Sequence, residues 1–222
     1  MRCTILVALA ATLVAPAAAL AQKVGALAQK VGAVEGRVTV SGRSDSSKVV
    51  VSIAAPASRP LPVQHATVHQ KNQTFRPDLT VVTKNSVVDF PNDDKIFHNV
   101  FSLSRPARFD LGLYKSGSSK SVTFKRPGVV DIYCNIHPNM VSQIKVVDTP
   151  HYAVTTADGR FRIAGIPPGT YPVTAWVAWG EEVKGTVVVE AGKTARLDLR
   201  VVAGRPPKRH TRKDGTPYGR YQ

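Results

Sequence analysis

Residues 133–140 read YCNIHPNM and set a thiol, an imidazole and a thioether close together, at Cys134, His137 and Met140. The chain holds two Cys and two Met, and the other pair, Met1 and Cys3, lies at the extreme N-terminus. Each residue has a plain reading on its own. A lone Cys is commonly a small buried hydrophobe and a Met a gap-filler, while a His can rest against a carbonyl. Together they form the ligand set that soft, redox-active ions select. Zinc is the competing ion, but zinc sites rarely recruit a thioether and favour more numerous charged ligands.

The N-terminus sharpens the point. MRCTILVALAATLVAPAAALAQ carries one early charge at Arg2, an apolar run from about Ile5 to Ala15, and Ala19-Leu20-Ala21 before Gln22. That pattern predicts a secretory signal peptide over 1–21, with an apolar run too short to span a bilayer. Cys3 precedes the run, too early to be a lipid-attachment cysteine. ALAQKVG then occurs twice, at 19–25 and 26–32. We read residues 22–33 as a spacer, with a second possible cleavage site after Ala28. The chain is therefore expected in the periplasm or outside the cell, where oxidation normally pairs or removes cysteines. A single retained thiol at Cys134 needs a reason.

The elements around it supply geometry. VVDIYC runs as a strand up to Cys134 and SQIKVVD resumes after Met140, so the three side chains sit on a turn between strands, where they can converge. Two His and one Cys in a plane, with a distant axial Met, make the blue-copper electron-transfer arrangement. One His is then missing from the loop. The best candidate is His98 in VDFPNDDKIFHNVFSLS, 36 residues before Cys134 and immediately ahead of the strand NVFSL. Asp89, Asp93 and Asp94 crowd the preceding turn and read as solvated, with tuning of a metal as the alternative. His65 and His69, four apart, fall on one face of a strand; an exposed pair is the default and a second metal site the alternative. His151 and His210 carry no assigned role.

PNDDKIFHNVF followed by VTFKRPGVVDIYCNIHPNM resembles the plastocyanin/amicyanin branch of the cupredoxins, with the short C-x2-H-x2-M loop of the amicyanin type. The likeness spans about 66–148. It implies a Greek-key β-sandwich holding one type-1 copper ion through His98, Cys134, His137 and Met140. It also implies that Asn99 hydrogen-bonds into the ligand loop, and that electrons pass at the ring edge of His137 through a small apolar patch including Pro138 and Ile136.

The rest of the chain is consistent with an all-β protein. Val, Thr and Ile are abundant, Gly and Pro number 16 each, and no long stretch has helical apolar spacing. VEGRVTVSGRSDSSKVVVSIAAP (34–56) alternates as two strands, and ASRPLPVQH reads as a linker. After TPH, the segment YAVTTADGRFRIAGIPPGTYPVTAWVAW predicts a hairpin at Asp158-Gly159 and a further turn at Pro167-Pro168-Gly169. Phe161, Ile163, Tyr171, Val173 and Ala175 alternate as a half-buried sheet requires. VKGTVVVE and ARLDLRVV supply two more strands. Through DGRFRIAGIPPGTYPVTAW the block 150–202 resembles carboxypeptidase regulatory-like (transthyretin-like) sandwich modules. These usually open with a Gly-x-Val strand like EGRVTV, which here lies ahead of the copper region. The expectation is a second, smaller sandwich with first strands in 34–60, interrupted by the inserted cupredoxin. Trp176 and Trp179 read as packing residues.

Residues 203–222 carry six Lys/Arg against one Asp and few apolar residues, and their composition predicts a disordered basic tail. The formal net charge is +15, one less without Arg2. Such a surplus favours acidic partners or anionic surfaces. A redox partner with an acidic docking face, such as a c-type cytochrome or a quinoprotein dehydrogenase, fits; the tail could also rest on an anionic envelope polymer. Export, and the lack of interleaved aromatics, argue against nucleic acid.

An enzyme is not expected. Four protein ligands would leave no coordination position for substrate, and no nucleophile elbow, zinc-protease helix, P-loop or dinucleotide fingerprint occurs in the sequence. A one-electron carrier is the expected function. A copper-delivery protein, or a structural envelope protein with a vestigial loop, are the alternatives.

Overall fold

The computed structural model describes residues 30–57 and 60–219, and among them strands occur without any helix. The expected signal peptide and most of the spacer lie outside the described residues. The end of the spacer is a correction. Gly32 and Ala33 already belong to the first strand, where they pair with Ile166 and Ala164, because the second repeat copy runs directly into the Val-rich segment.

In chain order the strands come as two, then ten, then six. The first two are β1 (Gly32–Ser41) and β2 (Val49–Ile53). The middle ten are β3 (His65–Thr67), β4 (His69–Gln70), β5 (Phe75–Arg76), β6 (Leu79–Thr83), β7 (Ser86–Pro91), β8 (His98–Ser102), β9 (Phe109–Tyr114), β10 (Ser119–Phe124), β11 (Gly128–Tyr133) and β12 (Val141–Val147). The last six are β13 (Tyr152–Val154), β14 (Arg160–Ile166), β15 (Gly169–Val177), β16 (Glu182–Val189), β17 (Thr194–Arg196) and β18 (Leu199–Val202).

Strands from both ends of the chain build the outer sandwich. β1 runs antiparallel to β14 and parallel to β17 and β18, while β2 lies in a second sheet ordered β13-β2-β15-β16. The middle ten strands leave this sandwich after β2 and return at β13. Alternation buries Val34, Val38, Val51, Ile53, Phe161, Ile163, Val173 and Ala175 between the two sheets. Gly36 is required where β17 gives way to β18, since a Cβ there would lie 1.8 Å from the Leu197 carbonyl oxygen.

Two turns differ from expectation. Asp158-Gly159 does turn the chain, with Gly159 at φ +82°, but β13 and β14 lie in different sheets, so the connection is an arch and not a hairpin. Backbone pairing of Val38 N–H with the Gly159 carbonyl draws the turn onto β1 instead. Pro167-Pro168 likewise passes the chain from β14 in one sheet to β15 in the other.

The middle sandwich stacks a sheet ordered β6-β12-β11-β8-β9 on one ordered β10-β7-β3, with β4 and β5 as a short ribbon. Phe75, Phe90, Phe124, Ile132 and Ile144 fill its core, and Cys134 and Met140 belong to the same cluster. Val50, Val147 and Trp176 join the two sandwiches, with Lys145 Nζ 5.1 Å above the Trp176 ring. Trp176 is thus a packing residue.

The basic C-terminal segment corrects a second expectation. Its described part, 203–219, is not a free tail: Tyr218 is buried and His210 half-buried against the middle sandwich. Composition measures how much apolar surface a segment can bury, and here two rings and a few backbone bonds are enough because a preformed surface receives them.

Candidate metal centre

His98 opens β8, and Cys134 follows the last residue of β11, the neighbouring antiparallel strand. Tyr133 faces Phe101 across that pair, so continuing the register sets Asn135 against Asn99 and brings Cys134 towards His98. The Asn135 N–H donates to Asn99 Oδ1 at 3.2 Å, as the resemblance implies for Asn99. Asn99 in turn donates to Asp110 at 2.7 Å. From Cys134 the turn brings His137 back over the thiol.

His98, Cys134 and His137 offer ligand atoms that all lie within 4.8 Å of one another. The two Nδ1 atoms are 3.1 Å apart, and Cys134 Sγ lies 3.9 Å from His98 Nδ1 and 3.5 Å from His137 Nδ1. A point in their plane equidistant from all three falls about 2.0 Å from each. Bond lengths of about 2.0–2.1 Å to nitrogen and about 2.3 Å to thiolate sulfur are those of such metal sites. The triangle therefore fits a transition ion with little movement. Met140 is fully buried in the core cluster that contains Cys134, and its N–H donates to the His137 carbonyl at 3.2 Å.

Electrostatics set the protonation states. His98 is fully buried, and its Nε2 lies 2.7 Å from Asp94 Oδ2. An Nε2–H donated to that carboxylate leaves Nδ1 with its lone pair aimed at Cys134 and His137. Burial opposes ionisation of Asp94, but N–H groups of Gln73 and Asn72 together with His98 hold its pKa below the usual carboxylate range. Burial pushes the Cys134 thiol up, opposed by backbone N–H groups of Ile136, Asn99 and His137. Burial and the neighbouring His98 push the His137 imidazole below its ordinary value, opposed by Asp94.

For Asp94 the structure departs from the default solvated reading and favours the stated alternative, a role beside the ligands. The turn folds back so that the Asp94 carboxylate accepts from the Asn72 and Gln73 N–H groups and anchors His98. Asp89, which lies in β7, pairs with His65 at 2.7 Å, and Asp93 pairs with His69 at 2.6 Å. Among the described residues, His98, Cys134 and His137 are the one cluster of three or more such groups, and His65 and His69 are not part of it. Ile136, His137 and Pro138 are each half-buried. His210, given no role from sequence, places Nε2 3.2 Å from the His137 carbonyl.

Comparison with known proteins gives one family match and several structural likenesses. The family model of the carboxypeptidase regulatory-like domain matches residues 141–202. The match takes in β12, which pairs within the middle sandwich, and all of β13 to β18. No curated protein matches the chain. Among solved structures, a purple cupredoxin from Nitrosopumilus maritimus is similar at 21% identity, covering 37% of this chain and 99% of that one, with a TM-score of 0.34. A Cu(I) amicyanin variant is similar at 18% identity, covering 44% and 98%, with a TM-score of 0.36. The copper-containing nitrite reductase of Thermus scotoductus is similar at 24% identity, covering 51% of this chain and 28% of that one, with a TM-score of 0.36. Residues 141–202 thus match the carboxypeptidase regulatory-like family model, and the chain is similar to solved cupredoxins. What the site can hold is decided by its own distances.

Proposed function

We propose that this protein is an exported one-electron carrier whose middle sandwich holds a single type-1 copper ion through His98, Cys134, His137 and Met140. The observation that carries the reading is the buried Sγ–Nδ1–Nδ1 triangle, already the size of a metal's first shell. Bound there, copper would supply one-electron exchange between Cu(I) and Cu(II). The residues do the rest. Asp94 fixes the His98 tautomer and ring plane, and Asn99 ties the ligand loop to β8. Full burial of Cys134 in the core cluster of the middle sandwich keeps water from the thiol. A ligand set that needs little movement favours electron transfer over substrate chemistry.

His137 is the least buried of the three clustered ligands, so it is the natural point of exchange, flanked by Ile136 and Pro138. The surplus of positive charge suits a redox partner with an acidic docking face, and such docking weakens as salt is raised. Among the described residues no helix is long and apolar enough to cross a membrane. Export is part of this proposal and rests on the leader pattern expected over 1–21.

The test is a visible spectrum after loading with Cu(II). An intense blue thiolate charge-transfer band is expected, and Cys134→Ser should abolish it while leaving the fold intact. Weak absorption in the loaded protein would favour copper delivery or a metal-free scaffold.

A further inference from the structure

The outer sandwich reaches β11 at Val129, in the cluster of Trp176, and the far end of β11 and β8 is covered differently. Phe101 is 1% exposed yet belongs to none of the hydrophobic clusters. Its ring neighbours are Tyr133 at 5.7 Å and His210 at 6.0 Å. His210 stacks on Tyr133 at 4.6 Å with 30° between planes and meets Tyr218 edge-on at 5.3 Å. The C-terminal segment therefore forms a local third layer over the strands that carry the ligands.

The same segment grips the ligand loop almost residue by residue. The Tyr218 hydroxyl donates to the Cys134 carbonyl at 2.6 Å, and the Lys213 N–H to Asn135 Oδ1 at 2.9 Å. His210 Nε2 reaches the His137 carbonyl at 3.2 Å, and its N–H donates to the Pro138 carbonyl at 3.2 Å. The Lys213 ammonium also pairs with Asp110, which holds Asn99. Of the loop's own closing bonds, Cys134 N–H to the Met140 carbonyl is long at 3.4 Å, and Met140 N–H to the His137 carbonyl is 3.2 Å.

We propose that residues 205–219 are a strap that positions the ligand loop, with Tyr218 and His210 as positioning residues holding the carbonyls of Cys134, His137 and Pro138. The strap keeps the Sγ–Nδ1–Nδ1 triangle closed before any metal arrives. It rests on the copper reading only for what the triangle receives.

The experiment uses the metal-free protein. Alkylation of Cys134 by iodoacetamide is followed at its own peptide by mass spectrometry, alongside hydrogen exchange of amides 135–140. Four forms are compared with the full chain: one ending after Gly204, Tyr218→Phe, His210→Ala, and Lys208→Ala as an exposed control. Truncation should speed alkylation by about tenfold or more, and Tyr218→Phe by roughly fivefold, which is the opening expected on losing one net hydrogen bond. Lys208→Ala should change nothing, and the thermal midpoint of the sandwiches should stay put in Tyr218→Phe, which a merely structural role would not allow. Rates within about twofold of the full chain in both the truncated form and Tyr218→Phe would overturn the strap. A loosened loop in a protein that takes up no copper upholds the strap and overturns the metal reading. An intact blue band with unmoved alkylation overturns the strap alone.

Discussion

The two sandwiches are built alike and filled differently. The outer core is aliphatic apart from Phe161, and its buried polar side chains, Thr149, His151 and Thr155, sit at the junction and the arch. The middle sandwich buries Gln70, Ser86, Asn92, His98, Asn99, Ser102, Ser142 and Gln143. Each buried polar group costs free energy unless it is bonded, and here nearly all are. Gln70 bonds Tyr114, Asn92 bonds the Ile96 and Tyr114 carbonyls, and Asn99 bonds Asp110 and the ligand loop. A purely apolar core suffices to make a stable scaffold. A polar network inside a sandwich is instead the mark of a part whose side chains must point in fixed directions.

That contrast can be broken at the joint between the two. Trp176 is 4% exposed and links them through Val50 and Val147. Trp176→Ala should cost about 3–5 kcal/mol and separate one unfolding transition into two in calorimetry. A single unshifted transition would mean that the sandwiches are coupled some other way.

The next effect separates scaffold from site. Ile53→Ala, in the outer core, should lower stability by about 2–5 kcal/mol yet leave copper affinity unchanged. Asp94→Ala, which frees His98 Nε2, should do the reverse: about 10–100-fold weaker copper binding in a competition titration, with a smaller loss of stability.

A smaller effect comes from acid. Burial opposes ionisation of Asp110, but Lys213, the Gly112 N–H and Asn99 hold its pKa below the ordinary value. A folded-state pKa below the unfolded one contributes stability that is present above the ordinary carboxylate range and is lost as pH falls through the folded value. Thermal midpoints measured down from neutral pH should therefore drop below about pH 4, and Asp110→Asn should flatten part of that limb.

How much of this was legible in the sequence depends on how far each signal travels. The convergence of Cys134 and His137 was legible because rare residue types stand close together, and that of His98 because it heads an apolar strand. The closing strands of the outer sandwich were legible from alternation. Asp94 was legible only as an alternative to a solvated turn, since its partner His98 is reached only when the turn folds back. The arch at Asp158-Gly159 was misread because a turn motif states that the chain reverses and not which sheet receives it. The strap was hidden for a third reason. His210, Lys213 and Tyr218 act one at a time on a surface made by residues some 70 to 100 positions earlier, so no local pattern announces them.

The most direct test of the central claim is X-ray absorption at the copper edge of the Cu-loaded full chain. One short copper–sulfur path together with two imidazoles is the predicted result, with the sulfur path lost in Cys134→Ser. A shell of nitrogen and oxygen alone in the unsubstituted protein would contradict it.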